Sequence, residues 1–235
     1  MSQYVENLVL IPGLNNTKQA WSGVMEALPA SVNKYAVDVP AMTDINQIAE
    51  ELLNTLPETF HLAGHSFGGF IALAMLEMAP ERISGLSLIG TNANAEKEEV
   101  RELRKKAIAR ALSGEYEEMI SAASHRTFHP DNLGNEDLQI LRKQMIEDYG
   151  VERYAAHAEA TMNRPDRSKI LTEVDIPYLF VSSIDDIIVP LESTKEMLQY
   201  APKAEFVIIE NSGHLIPLEQ PKALAVEMLP WLEKK

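Results

Sequence analysis

The stretch Phe60-His61-Leu62-Ala63-Gly64-His65-Ser66-Phe67-Gly68-Gly69 decides the reading of this chain. Residues 60–63 form a near-continuous apolar run, and a helical pattern over 67–78 ends before Pro80. Between them sits Gly64-His65-Ser66-Phe67-Gly68, a G-x-S-x-G pentad. Alone, three fixed positions in five recur by chance. Placed between a strand and a helix, the pentad predicts a sharp turn that lifts a serine hydroxyl at the sheet edge. Glycine at 64 and 68 leaves room for strand and helix to approach closely. The start of the following helix favours negative charge developing beside Ser66. A phosphate-cradle reading fails, because it needs either a Lys followed by Ser or Thr, or a G-x-G-x-x-G run. Ser66 is therefore read as a nucleophile.

Outward from this stretch, short apolar runs alternate with longer helical patterns. Strands are expected at 8–11, 35–37, 60–63, 86–89, 178–182 and 206–209, and helices at 18–28, 45–56, 67–78, 191–200 and 221–232. Short continuous apolar runs bounded by turn residues are the pattern of strands buried on both faces. The alternation predicts an α/β fold: a doubly wound, mainly parallel sheet of about six strands with right-handed crossovers. From 92 to about 169 no strand-like run occurs. Four amphipathic helical patterns, at 96–112, 116–128, 135–149 and 151–162, fill that interval. The expected organisation is one core, residues 1–92 and 169–235, with residues 93–168 inserted as a helical lid over the sheet's C-terminal edge.

Composition removes several classes of function. The chain has 235 residues, a formal charge of −14 and no cysteine. A disulfide, a thiolate-ligated metal and a cysteine nucleophile are thus impossible. Nucleic-acid binding needs clustered Lys and Arg, against which the acidic balance argues. The longest uncharged apolar stretch, residues 67–76, is half of the roughly 20 residues a membrane span requires. Residues 1–7 lack the basic patch and apolar core of an export signal, so a cytoplasmic location is expected. The charge is uneven: residues 93–168 carry 12 basic and 15 acidic residues, against 9 and 20 elsewhere. That balance agrees with a helical segment rich in Lys, Arg and Glu.

A serine hydroxyl needs a base, usually a histidine oriented by a carboxylate. Of the six histidines, His214 follows Gly213 just after the last strand, at the edge where Ser66 lies. His61 falls inside a strand and His65 within the turn, so both are poorly placed to reach Ser66. His125 and His129 stand four apart on a helical pattern, but the H-E-x-x-H glutamate is missing and no third ligand is evident, so no metal is expected. Asp185 and Asp186 follow the strand at 178–182, and both remain candidate acids. The order Ser, Asp, His is that of one particular hydrolase architecture. The backbone N–H of Phe67, just after the nucleophile, is a candidate donor to an oxyanion.

These motifs together resemble the α/β-hydrolase superfamily, in its lidded branch of esterases, lactonases and C–C hydrolases. The family pattern D-x-x-V-P matches Asp186-Ile187-Ile188-Val189-Pro190, which selects Asp186 over Asp185. A second pattern, G-H-x-x-x-x-E-x-P, matches Gly213-His214 through Glu219 and Pro221. The resemblance implies a Ser66–His214–Asp186 triad, and a second oxyanion donor at the Leu14 amide. Pro12 stands where the family usually has His, and the loop after the second strand keeps Asp38 but loses the family's glycines. Members usually have two further strands before residue 8, so a sheet trimmed at its start is expected.

The expected function is therefore hydrolysis of a carboxylic ester or related small acyl substrate through an acyl-enzyme, with no cofactor and no metal. One rival keeps the same triad for C–C bond hydrolysis or elimination, with Arg101, Arg104, Arg110, Arg126, Arg142 and Arg153 available to hold substrate carboxylates. Another rival is a non-catalytic binding protein on the same scaffold.

Overall fold

The computed structural model of the chain describes residues 7–234. The export-signal reading rests largely on residues 1–6, which lie outside the described residues. The six strands are β1 (Asn7–Ile11), β2 (Asn33–Ala36), β3 (Phe60–His65), β4 (Ile83–Ile89), β5 (Tyr178–Ser182) and β6 (Glu205–Ile208). They form one sheet in the order β2-β1-β3-β4-β5-β6. Every neighbouring pair is parallel, with Val9 opposite Leu62, Gly64 opposite Leu88 and Val181 opposite Val207.

Side chains alternate across the pleat and divide the core into two layers. On one face Val9, Ile11, Leu62, Leu88 and Phe180 pack against helices α2 (Ile45–Leu53) and α3 (Phe67–Met78). On the other Leu8, Leu10, Ala63, Leu179 and Val181 pack against α1 (Ser22–Ala27) and the helix Pro221–Leu232. Strands β3 and β5 are buried throughout, as continuous apolar runs require.

The edges depart from that expectation. Strands β2 and β6 are only partly buried, because each has a neighbour on one side alone. Their solvent-facing polar residues blur the apolar run, and β2 begins at Asn33 rather than at residue 35. The pattern at 18–28 is a 3₁₀ turn, Lys18–Trp21, followed by the short α1.

Between β4 and β5 the described chain is helical and holds no strand. The helix Glu98–Arg110 continues into a π-turn, Ala111–Glu115. The pattern at 116–128 divides into Tyr116–Ala122 and Ser124–Thr127. A long helical run, Glu136–Asn163, is interrupted at Gly150, where φ is 74°. The two helices expected at 135–149 and 151–162 thus meet at that glycine.

The strand–turn–helix at β3–α3 packs closely against β1. A Cβ on Gly68 would strike the carbonyl oxygen of Ile11, and one on Gly64 the carbonyl of Gly68. Glycine here lets β1, β3 and α3 interlock. Gly68→Ala should lower stability in urea unfolding by about 1–3 kcal/mol or more. Gly134→Ala, with nothing within 4 Å of the new Cβ, should stay within about 0.5 kcal/mol of wild type.

Candidate active site

The strand order reverses between β1 and β3, and such switch points open a crevice at the carboxyl ends of parallel strands. Four segments meet there: the loop after β1, the turn after β3, and the loops after β5 and β6. Ser66 occupies the turn after β3 with φ 52° and ψ −116°, a left-handed conformation for a residue with a side chain. Three hydrogen bonds hold it: its N–H donates to Ile89 O at 2.9 Å, and its carbonyl accepts from Gly69 N–H at 2.9 Å and Thr91 Oγ1 at 2.8 Å.

His214 Nε2 lies 2.9 Å from Ser66 Oγ, and His214 Nδ1 lies 2.8 Å from Asp186 Oδ2. The carboxylate accepts the Nδ1 proton, which leaves Nε2 to accept from the serine hydroxyl. Asp186 Oδ1 also accepts from the amides of Ile188 and Val189, each at 2.9 Å. Burial pushes the Asp186 carboxyl up, but His214 and the two amides outweigh it and hold the group below its ordinary value. The acid is thus kept ionised beside the imidazole. Asp185 points elsewhere, toward His129 Nε2 at 3.6 Å.

Two buried groups fix the loop that carries His214. His65 Nε2 donates to the His214 carbonyl at 2.8 Å, and its ring packs against Gly13. Glu219 accepts from Gly213 N–H at 2.8 Å, from His129 N–H at 2.7 Å and from Asn132 Nδ2 at 2.8 Å. The glutamate of the second motif thereby ties the His214 loop to the helical segment.

Ser66 and His214 open on a cavity of about 590 Å³ that Leu14, Phe67 and Phe70 also line. Phe67 is the first residue of α3, so its N–H has no partner within the helix. Of the six arginines singled out from the sequence, Arg104 and Arg142 line this cavity, and Arg164 joins them. Arg104 and Arg164 pair with Glu96 at 2.8 Å and 3.1 Å. Burial pushes the Glu96 carboxyl up, and the two guanidiniums more than reverse that. A separate hollow of about 660 Å³ lies by Pro177 and Tyr200, at the opposite end of β5, and holds none of these groups.

The remaining histidines and acids are dispersed. Asp38 accepts from Lys18 N–H at 2.9 Å, at the sheet's edge strand. His61 packs edge-on against Trp231. His125 is exposed, and His129 lies beyond the helix Ser124–Thr127 rather than on it. No cluster of three or more His, Cys, Asp or Glu side chains is placed to hold a metal among the described residues. His157, given no role from the sequence, stacks on Phe67 with ring centroids 4.8 Å apart. Its Nε2 donates to Pro40 O at 2.7 Å, and its Nδ1 accepts from Tyr149 at 2.5 Å.

A family model described as "Alpha/beta hydrolase family" matches residues 8–227. The chain belongs to the alpha/beta hydrolase family. It is an α/β-hydrolase-type enzyme. The hydrolase is 26% identical, over 97% of its own length, to the dihydrolipoyllysine-residue acetyltransferase component of an acetoin cleaving system in Pseudomonas putida, and spans 63% of that protein. It is 24% identical to the pimeloyl-[acyl-carrier protein] methyl ester esterase of Nitrosomonas europaea, over 92% of this chain and 91% of that one. Among solved structures, a thermophilic esterase from Thermogutta terrifontis superposes with a TM-score of 0.90 at 24% identity, covering 97% of this hydrolase and 89% of the esterase. No helix among the described residues is long and apolar enough to cross a membrane.

The two buried rings flanking the site give this hydrolase an acid-sensitive fold. Burial lowers His65 from 6.5 to about 3, with His214 adding to the effect. Burial likewise lowers His157 from 6.5 to about 4. Between those values and 6.5 the unfolded chain binds more protons than the native one. Stability is therefore fully present above pH 6.5 and lost as pH falls, each ring adding a slope approaching about 1.4 kcal/mol per pH unit. Urea midpoints should drop between about pH 7 and about pH 5, and His65→Gln with His157→Gln should flatten the curve. An equally steep curve in the double variant would exonerate the two rings.

Proposed function

We propose that the protein is a serine hydrolase that cleaves a carboxylic ester or related small acyl compound through an acyl-enzyme. The observation that carries this reading is the continuous chain Ser66 Oγ, His214 Nε2, His214 Nδ1, Asp186 Oδ2, with contacts of 2.9 Å and 2.8 Å. A pure binding protein has no need of a nucleophile, a base and an orienting acid in hydrogen-bonded series. The relatedness to an esterase named for methyl ester cleavage supports the same reading.

In the proposed reaction His214 takes the Ser66 proton at Nε2 as Oγ attacks the acyl carbon. Asp186 holds the imidazole in the tautomer that can do this and stabilises the imidazolium that forms. The amides of Leu14 and Phe67 bind the tetrahedral oxyanion, each strengthening as negative charge develops. Collapse expels the alcohol, which takes the proton from His214. Water then attacks the acyl-enzyme with His214 as base, releases the acid and restores Ser66. Residues 93–168 serve as a lid that walls the cavity and shapes substrate choice.

Incubation with a fluorophosphonate followed by intact-mass measurement should add one phosphonyl group to the wild type and none to Ser66→Ala. Ester turnover should fall about 10⁴- to 10⁶-fold in Ser66→Ala and about 10⁴-fold in Asp186→Asn, which keeps the shape but fails to fix the tautomer. A wild-type protein that takes up no phosphonyl group would overturn the nucleophile assignment.

A further inference from the structure

Arg142 stands apart from the other cations of the cavity. It lies on the helical run Glu136–Asn163, is 4% exposed, and lines the same cavity as Ser66 and His214. Its Nη1 donates to Asn15 O at 2.5 Å and to Asn16 Oδ1 at 2.8 Å, both neutral acceptors. Its Nε is buried with no hydrogen-bond partner, and it forms no ion pair among the described residues. Arg104 and Arg164 differ, because they share Glu96. Burial pushes the Arg142 guanidinium down to about 10, so it still carries its charge at neutral pH.

A desolvated cation without a counter-ion is expensive to keep. The charged wall around it repeats the theme. Lys97, Arg104, Arg142 and Arg164 face the cavity against only Glu96 and Glu196, in a chain whose net charge is −14. The local sign is thus opposite to that of the whole molecule. Resting on the ester-hydrolase reading above, we propose that Arg142 is a substrate-binding residue and that the preferred ester carries a free carboxylate close to its scissile bond. The guanidinium grips the Asn15 carbonyl, next to Leu14, so the carboxylate sits on the Leu14 side of Ser66. The missing counter-charge of the cavity arrives with the substrate.

The test uses two para-nitrophenyl esters of one acyl chain: the hemiester of glutaric acid, and the same ester with its free carboxylate capped as a methyl ester. The wild type should favour the hemiester in kcat/KM. Arg142→Gln should raise KM for the hemiester about tenfold to a hundredfold, the worth of a charge-assisted contact, with KM for the capped ester little changed. Arg142→Lys, which keeps the charge, should retain part of the preference. If Arg142 only braces Asn15 and Asn16, both esters lose kcat alike and the KM contrast vanishes, which overturns the proposal. A wild type that prefers the capped ester overturns it without any variant.

A binding arm separates this proposal from the hydrolase reading. Calorimetry should show glutarate binding to Ser66→Ala and much weaker binding when Arg142→Gln is added. That result upholds the anion site even if neither ester turns over. A protein that takes up the fluorophosphonate on Ser66 but binds no glutarate keeps its nucleophile and loses its anion site.

Discussion

The left-handed backbone at Ser66 is the constraint on which the rest of the structure depends. A φ of 52° on a residue with a Cβ costs about 1–3 kcal/mol and survives only when its surroundings over-determine it. Here those surroundings are the sheet itself. Ile89 at the end of β4 receives the Ser66 amide, Thr91 just beyond it caps the Ser66 carbonyl, and Gly68 presses onto the carbonyl of Ile11 in β1. The three central strands must be in register before the serine can be held in this pose. The geometry of this turn is therefore a product of the buried central sheet, although the hydroxyl itself faces a cavity.

The partners of Ser66 come from the other half of the sheet, and their electrostatics are set by burial. Asp186 is sealed from solvent, yet it receives an imidazole N–H and two backbone amides, so it stays ionised where an unassisted carboxylate would take up a proton. His65 is equally buried, and there burial and the neighbouring His214 outweigh the help it gets from the His214 carbonyl and the Asp186 charge. It is held neutral, and the neutral ring donates one hydrogen bond to the His214 carbonyl. Two histidine rings 5.1 Å apart thus take opposite tasks because one faces a carboxylate and the other a carbonyl.

What could be read from the sequence follows from how local its physical cause is. The β3 turn, its strained serine and the following helix depend on neighbouring residues, so the pentad and its flanks announce them. The Asp186 and His214 positions were legible through short patterns that ride on loops after strands, while the choice of Asp186 over Asp185 needed the family pattern. The edge strands were blurred because exposure admits polar residues, as at Asn33 and Lys34 of β2. Arg142 and His157 carried no local sign at all. Arg142 reaches the loop at Asn15 from 127 positions away, and His157 reaches Pro40 from 117. Six arginines looked equivalent in the sequence, and only their places in space distinguish Arg142, the one of the six that is buried, and buried without an acid partner among the described residues.

Those long-range contacts also bear on the lid role proposed for the helical segment. Its anchors to the core include these four: Arg142 to Asn15 and Asn16, His157 to Pro40 and the Phe67 ring, the His129 and Asn132 region to Glu219, and Arg167 to Glu77. Three of the four anchors land on elements of the proposed chemistry: the Leu14 loop, the Phe67 turn and the His214 loop. Opening the segment as a rigid flap would have to break these contacts together, including hydrogen bonds to charged groups worth about 1.5–3 kcal/mol each. In the proposed reaction, exchange of substrate and product would cost less through the exposed rim, where Lys97, Val100 and Ile188 border the cavity, than by lifting the whole segment. The same stitches mean that the helical segment and the groups of the proposed chemistry share their supports. A substitution far from Ser66 on the helical run can therefore shift the Leu14 loop or the His214 loop without touching substrate.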